Sequence, residues 1–178
     1  QYECSDTTSH NMTIYAAPVA AFQPNPPLKI FPDATFGIDN QTKPAADTWN
    51  YRWTMGDGQT RYGKDFNSYT YSTWGPKADG FRYEVILESW NNNCYDSTHR
   101  YVYLLPASPV AIYTSDTSAT CSPLVVHFYN NSTYGDTLRW DFGDGTTSTD
   151  WEPIHTFNNP GYYNVKLTVY GDGGVAYK

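Results

Sequence analysis

The sequence predicts an all-β protein made of two antiparallel sandwiches in tandem, and three observations carry that expectation. Aromatic residues make up 17% of the 178 positions, with 17 tyrosines among them, and together with Val and Thr they suit the pleated, half-buried surface of a sheet. No window of ten or more residues spaces its apolar side chains at i, i+3, i+4 and i+7, as an amphipathic helix requires. One set of landmarks also occurs twice in the same order, about 90 residues apart, as in a tandem repeat.

In chain order, the first landmark is Pro18-Val19-Ala20-Ala21-Phe22, which returns as Pro109-Val110-Ala111-Ile112-Tyr113. Thr35-Phe36 followed by Asn40-Gln41-Thr42 returns as His127-Phe128 followed by Asn131-Ser132-Thr133. Tyr51-Arg52-Trp53 matches Leu138-Arg139-Trp140, and both run into Gly-Asp-Gly. Here alternation sets the faces: Leu138 and Trp140 point inward, Arg139 and Asp141 outward. The pairs Asp57-Gly58 and Asp144-Gly145 mark hairpin turns, because glycine reaches positive φ at little cost and an aspartate caps the turn's own amides. Tyr69-Thr70-Tyr71 matches His155-Thr156-Phe157, and Tyr83 to Leu87 matches Tyr163 to Leu167. In Tyr163-Asn164-Val165-Lys166-Leu167-Thr168-Val169 every second residue is apolar, as in a strand with one face on a core. Tyr51 and Tyr83 are expected to face cores.

These landmarks divide the chain into 18–106 and 107–178 and leave over residues 1–17, which the likeness of Cys4 to Thr8 with Cys94 to Thr98 implies to be the last strand of a preceding module. The final stretch, Gly171 to Lys178, stops before the last strand of the second module is complete. Either both ends are cut points in one polypeptide, or N-terminal strands complete the second sandwich of a neighbouring chain, head to tail. The linker Leu105-Pro106-Ala107-Ser108-Pro109 is stiffened by its prolines. Trp74 lies in a turn lengthened by Ser72 to Asp79, which either packs against the second sandwich or is a disordered surface loop.

A formal charge of −7 with 11 basic residues and no basic run argues against nucleic acid as a partner, since that affinity comes largely from Lys and Arg on phosphate. No apolar stretch reaches spanning length, so membrane insertion is not expected. Cys4, Cys94 and Cys121 lack the paired spacing of a zinc site. They read as free buried thiols or as half-cystines with partners elsewhere.

The second copy resembles the PKD (polycystic kidney disease) domain family. The residues that carry the likeness are Trp140-Asp141-Phe142-Gly143-Asp144-Gly145, then Pro153-Ile154-His155-Thr156-Phe157, then Pro160-Gly161-Tyr162-Tyr163-Asn164-Val165-Lys166-Leu167-Thr168-Val169. The first copy departs from the pattern at Thr54, Met55 and Tyr69, and its membership rests on the repeat. The resemblance implies two tandem immunoglobulin-like antiparallel β-sandwiches with no catalytic role. Cys94-Tyr95-Asp96-Ser97-Thr98 and Cys4-Ser5-Asp6-Thr7-Thr8 are similar to strand entries in PKD arrays of large Bacteroidota surface proteins. That likeness implies an extracellular, cell-surface spacer or adhesive filament, related to gliding adhesins and type 9 secretion substrates. Its partners would be neighbouring PKD modules and a surface glycan or protein. The alternative is a glycan-binding accessory module of a secreted hydrolase.

Candidate chemistry is set against this background. PKD-like domains of bacterial collagenases resemble this sequence and bind calcium near the acidic turn. That implies Asp141 and Asp144 as ligands, with Asp116 and Asn131 as helpers, since calcium takes hard oxygen donors. The first copy keeps only Asp57 and should bind less well. The competing reading is a self-capped turn. His155 is expected to be a hydrogen-bonded structural histidine. Asp6-Thr7, Asp96-Ser97 and Asp136-Thr137 resemble Bacteroidota O-glycosylation sites at Thr7, Ser97 and Thr137, and Asn11, Asn40, Asn130 and Asn131 open N-x-Ser/Thr sequons. Trp49 and Trp151 have no aromatic counterpart in the other copy and are the candidates for a glycan surface.

Overall fold

The computed structural model describes residues 8–44, 49–116 and 121–178. Its strands are β1 (Phe22–Asn25), β2 (Leu28–Ile30), β3 (Thr35–Asn40), β4 (Asn50–Thr54), β5 (Thr60–Tyr62), β6 (Tyr69–Thr70), β7 (Arg82–Trp90) and β8 (Tyr95–Leu105). A second series follows: β9 (Tyr113–Ser115), β10 (Leu124–Asn130), β11 (Thr137–Asp141), β12 (Thr147–Ser148), β13 (Ile154–Phe157), β14 (Lys166–Gly171) and β15 (Gly174–Tyr177). The one helical element among the described residues is a 3-10 turn at Lys77–Asp79.

The chain divides into two compact units. The first holds the described residues up to Pro27, with Thr35–Tyr71 and Tyr83–Val102. The second holds Leu28–Ala34, Ser72–Arg82 and Tyr103–Lys178. In the first unit one sheet runs β1-β3-β6 and the other carries β8-β7-β4-β5. In the second the orders are β9-β10-β13 and β15-β14-β11-β12. Position for position these are the same two sheets, so the repeat in sequence is a repeat of an immunoglobulin-like sandwich.

Strand register corrects the alignment of the repeats. Phe22 pairs with Asn40 and Tyr113 with Asn130, while Phe36 pairs with Tyr69 and Val126 with His155. Asn40 therefore corresponds to Asn130, not Asn131, and Phe36 to Val126, not Phe128. The Asn side chains confirm it: Asn40 Oδ1 accepts from the Thr42 amide and Asn130 Oδ1 from the Ser132 amide, each at 3.0 Å. For Phe36 matching by residue type misled because a shift of two keeps the side chain on the same face, and for Asn40 because two asparagines stand side by side at 130 and 131.

Each unit buries the inward set of both its sheets. In the second unit Val126, Phe128 and Phe157 meet Leu138, Trp140, Leu167 and Val169 across the core. In the first, Phe22, Phe36, Tyr69 and Tyr71 of one sheet and Tyr51, Trp53, Val85, Leu87 and Val102 of the other are buried, with Phe22 edge-on to Trp53 at 5.2 Å. β11 shows the expected alternation, with Leu138 and Trp140 buried and Thr137, Arg139 and Asp141 exposed. Tyr51 and Tyr83 are buried, as their alternation predicts.

Several segments lie where local sequence gave little guidance. β2 adds to the end of β8 in parallel, Leu28 beside Tyr103, within the second unit. Trp74 also belongs to this unit, where it meets Phe31 edge-on at 5.6 Å, and Phe31 meets Tyr134 at 6.2 Å. At the C-terminal end β15 pairs with β14, and Leu167 and Lys178 exchange both backbone hydrogen bonds, so the ladder extends along β14. Residues 8–17 form no strand and are exposed. Cys4 and Thr7 lie outside the described residues.

Candidate functional site

The Gly-Asp-Gly turns are the most organised polar features of the chain. β11 and β12 are joined by Phe142 to Thr146, closed by a hydrogen bond from the Phe142 amide to the Thr146 carbonyl at 3.2 Å. The turn is longer than a two-residue hairpin, and its glycines serve two ends. Gly145 stands at φ 91° in open space, while Gly143, at φ 77°, packs so close that a Cβ would lie 2.7 Å from the Asn164 carbonyl. Asp141 Oδ1 accepts from the Gly143 amide at 3.0 Å. Asp144 Oδ1 accepts from the Thr146 amide at 2.9 Å and its hydroxyl at 2.6 Å.

The other oxygen of Asp144 reaches out of its own turn. Oδ2 lies 2.7 Å from His155 Nε2 on β13, in the opposite sheet. His155 is stacked on Phe142 at 4.0 Å with nearly parallel planes, and stands edge-on to Phe157 at 4.6 Å. The clasp therefore ties the two sheets together at one end of the sandwich. Hydrogen bonds from Thr146, then from His155, pull the Asp144 carboxyl down to about 2 despite its partial desolvation.

The first unit builds the same clasp from different residues. Asp57 Oδ1 accepts from the Gln59 amide at 3.0 Å, and Asp57 Oδ2 from the Tyr69 hydroxyl at 2.7 Å. Tyr69 occupies the place of His155, and its ring carries the Arg61 guanidinium at 5.3 Å. Burial, then the bond to Asp57, pushes the Tyr69 hydroxyl up to about 12. Met55, fully buried, replaces Phe142, and its carbonyl accepts from Tyr71 at 2.8 Å. The substitutions that weaken the family pattern here keep its geometry.

Of the four residues named for calcium, Asp141 and Asp144 share the turn. Asp116 is held in the other sheet, where its Oδ1 accepts from the His127 amide at 2.8 Å. Asn131 lies five steps along β10 from Val126, the partner of His155, which is on the order of 16 Å at strand spacing. Its amide donates weakly to Thr114 Oγ1 and the Tyr129 carbonyl. Among the described residues no group of three or more His, Cys, Asp or Glu is placed to hold a metal ion. The Thr146 hydroxyl donates to Asp144 at 2.6 Å and lies 3.5 Å from His155 Nε2, the same ring nitrogen that Asp144 engages, so the imidazole does not stand between hydroxyl and carboxylate as in hydrolytic triads.

The modification candidates divide by exposure. Ser97 on β8 and Thr137 on β11 are exposed, whereas Asn130 is buried and Asn40 and Asn130 cap their own turns. Cys121 is exposed and Cys94 half-buried, so neither is a buried thiol. Trp151 is half exposed, but Trp49 is buried at 7% exposure and is not an open stacking platform. It instead walls a cavity with Trp90 and Tyr62, a site that alternation along isolated strands did not reveal.

The second unit matches a known family, the PKD domain, over residues 106–178. A microbial collagenase of Vibrio alginolyticus is 27% identical over 99 residues, 52% of this chain and 12% of its own length. Collagenase ColA of Clostridium perfringens is 30% identical over 105 residues, 55% of this chain and 9% of its own length. The chain thus spans only about a tenth of these relatives. Both of these relatives are collagenases. Among solved structures, an amphioxus IgVJ-C2 molecule is 15% identical with a TM-score of 0.44, covering 75% of this chain and 87% of that one. Residues 106–178 thus match the PKD domain model, and the strands of this part form an immunoglobulin-like sandwich.

Proposed function

We propose that the chain is an extracellular accessory segment of a secreted hydrolase, spacing the catalytic portion and attaching it to an insoluble substrate. The observation that carries this reading is the collagenase likeness itself. It covers over half of this chain and only about a tenth of each enzyme, as expected for an appended module. Two sandwiches of identical strand order support a spacing role, because repeated modules add length without new chemistry. The same repetition supports a second reading as a cell-surface spacer or adhesive filament, with neighbouring PKD modules as head-to-tail partners.

Co-sedimentation tests the attachment role. The chain is incubated with fibrillar collagen, cellulose and chitin, and the pellets are assayed for bound protein and soluble products. Retention on at least one polymer without hydrolysis is expected. A chain that stays in the supernatant with all three, or that releases product, overturns the reading.

A further inference from the structure

We infer that the second unit carries a strand-binding groove, and that residues 8–17 of a second copy of this chain fill it, joining copies head to tail. The groove, of about 510 Å³, lies between β9 and β10 and the segment Gly161 to Val165, with Tyr113, Phe128, Phe157 and Tyr163 in its walls. The inference rests on the reading of neighbouring modules as head-to-tail partners, and it names the segment and the register by which they join.

The first unit shows what belongs in such a place. Trp53 pairs with Leu87 and Trp140 with Leu167, so Tyr83 and Val85 correspond to Tyr163 and Val165. In the first unit β8 runs beside β7, in a register fixed at both ends by hydrogen bonds from Asn91 to Cys94 and from Leu104 to Phe81. Val102 therefore stands opposite Tyr83 and Leu104 opposite Phe81, and both are fully buried. In the second unit β15, with Lys178, covers β14 as far as Leu167. Among the described residues no strand pairs with Gly161 to Val165, and the Val165 carbonyl accepts instead from the Tyr113 hydroxyl at 3.0 Å. Burial shows the consequence. Phe22, Tyr83 and Val85 are at most 5% exposed, whereas their counterparts Tyr113, Tyr163 and Val165 are only half-buried. An uncovered sheet edge beside an open apolar core is the arrangement that accepts an added strand.

The occupant is present in the same chain. Cys4-Ser5-Asp6-Thr7-Thr8 repeats the pattern of Cys94-Tyr95-Asp96-Ser97-Thr98, and the same offset sets Met12 at the place of Val102 and Ile14 at that of Leu104. Two positions apart, Met12 and Ile14 share one face of an extended strand. That face is uncovered: the two side chains are 86% and 87% exposed, and residues 8–17 form no strand. Laid antiparallel to Gly161 to Val165 in the register of the first unit, the segment puts Met12 opposite Tyr163 and Ile14 opposite Gly161. Each copy offers one such segment and one such groove. Donor and acceptor are different surfaces, so the contact repeats from copy to copy without closing on itself.

The test uses the whole chain in sedimentation velocity over a range of concentrations. Cys121, exposed and in the lining of the groove, reports occupancy through its rate of alkylation, located by peptide mapping. Mass that rises in steps of one chain is expected, with Cys121 labelling slowed several-fold in the assemblies. Met12→Asp with Ile14→Asp is expected to return the chain to monomer and restore the labelling rate. Both side chains are exposed, so the pair leaves the fold intact, and unchanged circular dichroism checks it. A synthetic peptide of residues 8–17 is expected to slow labelling of that monomeric variant, and the same peptide with both aspartates is not. Oligomers that survive the double replacement, or a peptide without effect on Cys121, overturn the strand and leave association between modules standing. A monomer at every concentration with Cys121 freely labelled overturns both. A monomer with Cys121 protected gives the groove to a segment of the same chain and overturns exchange between copies.

Discussion

Replacing Trp140 with alanine removes the largest side chain from the second core. The indole is fully buried, edge-on to Tyr113 at 5.2 Å and tilted against Phe128 at 5.4 Å, and its Nε1 donates to the Asp150 carbonyl at 3.0 Å. Burying about 200 Å² beyond what alanine retains, at about 25 cal/mol per Å², amounts to about 5 kcal/mol. Truncations of large buried aromatics cost about 3–5 kcal/mol because the cavity relaxes in part, so about 4 kcal/mol is the expected loss. The Asp150 carbonyl adds little, since it sits on an exposed residue and can turn to water. Against a typical domain stability of about 5–15 kcal/mol this removes much of the margin, and the melting temperature should fall by on the order of 15–30 °C. Calorimetry of the whole chain, with hydrogen exchange of β11 and β14 against β4 and β7, separates the units. Protection should collapse in β11 and β14 and persist in β4 and β7. A loss below about 1 kcal/mol, or equal loss of protection in both units, would refute Trp140 as the anchor of one self-contained core.

The clasps give further expectations. Because the folded-state carboxyl of Asp144 lies below its unfolded value, its contribution is fully present above about pH 4 and is lost as pH falls toward about 2; acid melts of wild type and Asp144→Asn should differ above that window and converge below it. Tyr69→Phe leaves Asp57 without its cross-sheet donor and should cost about 1.5–3 kcal/mol in urea melts, as for a bond to a charged group. Tyr69→His should recover part of that loss, since it installs the second unit's version of the clasp. Melting in calcium against chelator addresses the acidic turn: a rise that Asp144→Asn cancels supports calcium there, and coincident curves assign the turn to self-capping alone.

The sequence by itself determined the all-β class, the repeat, the inward and outward faces of β11, and the turns at Gly56 to Gly58 and Gly143 to Gly145. These follow from local rules. Side chains alternate with a period of two, and positive φ favours glycine, so both patterns are legible within six or seven residues. His155 was legible as a bonded structural residue because its family position fixes its surroundings. Its partner became visible only when β13 was laid across from the β11–β12 turn, and the same holds for Asp57 and Tyr69.

Tertiary structure decided everything that depends on which strands lie side by side. The three residues of β2 join β8 across more than seventy positions, and so short a strand carries no pattern that could name its partner. Register overruled the matching of Phe36 with Phe128, because a two-residue slip preserves every face and only the cross-strand pairs distinguish the alternatives. Asp116 and Asn131 were named as helpers of the acidic turn, yet each lies just past a strand of the other sheet, Asp116 after β9 and Asn131 after β10, held by its own hydrogen bonds. Trp49 looked like a surface aromatic and is buried. The cavity that it lines is built from residues of β4, β5 and the end of β7, which meet only in the folded sandwich.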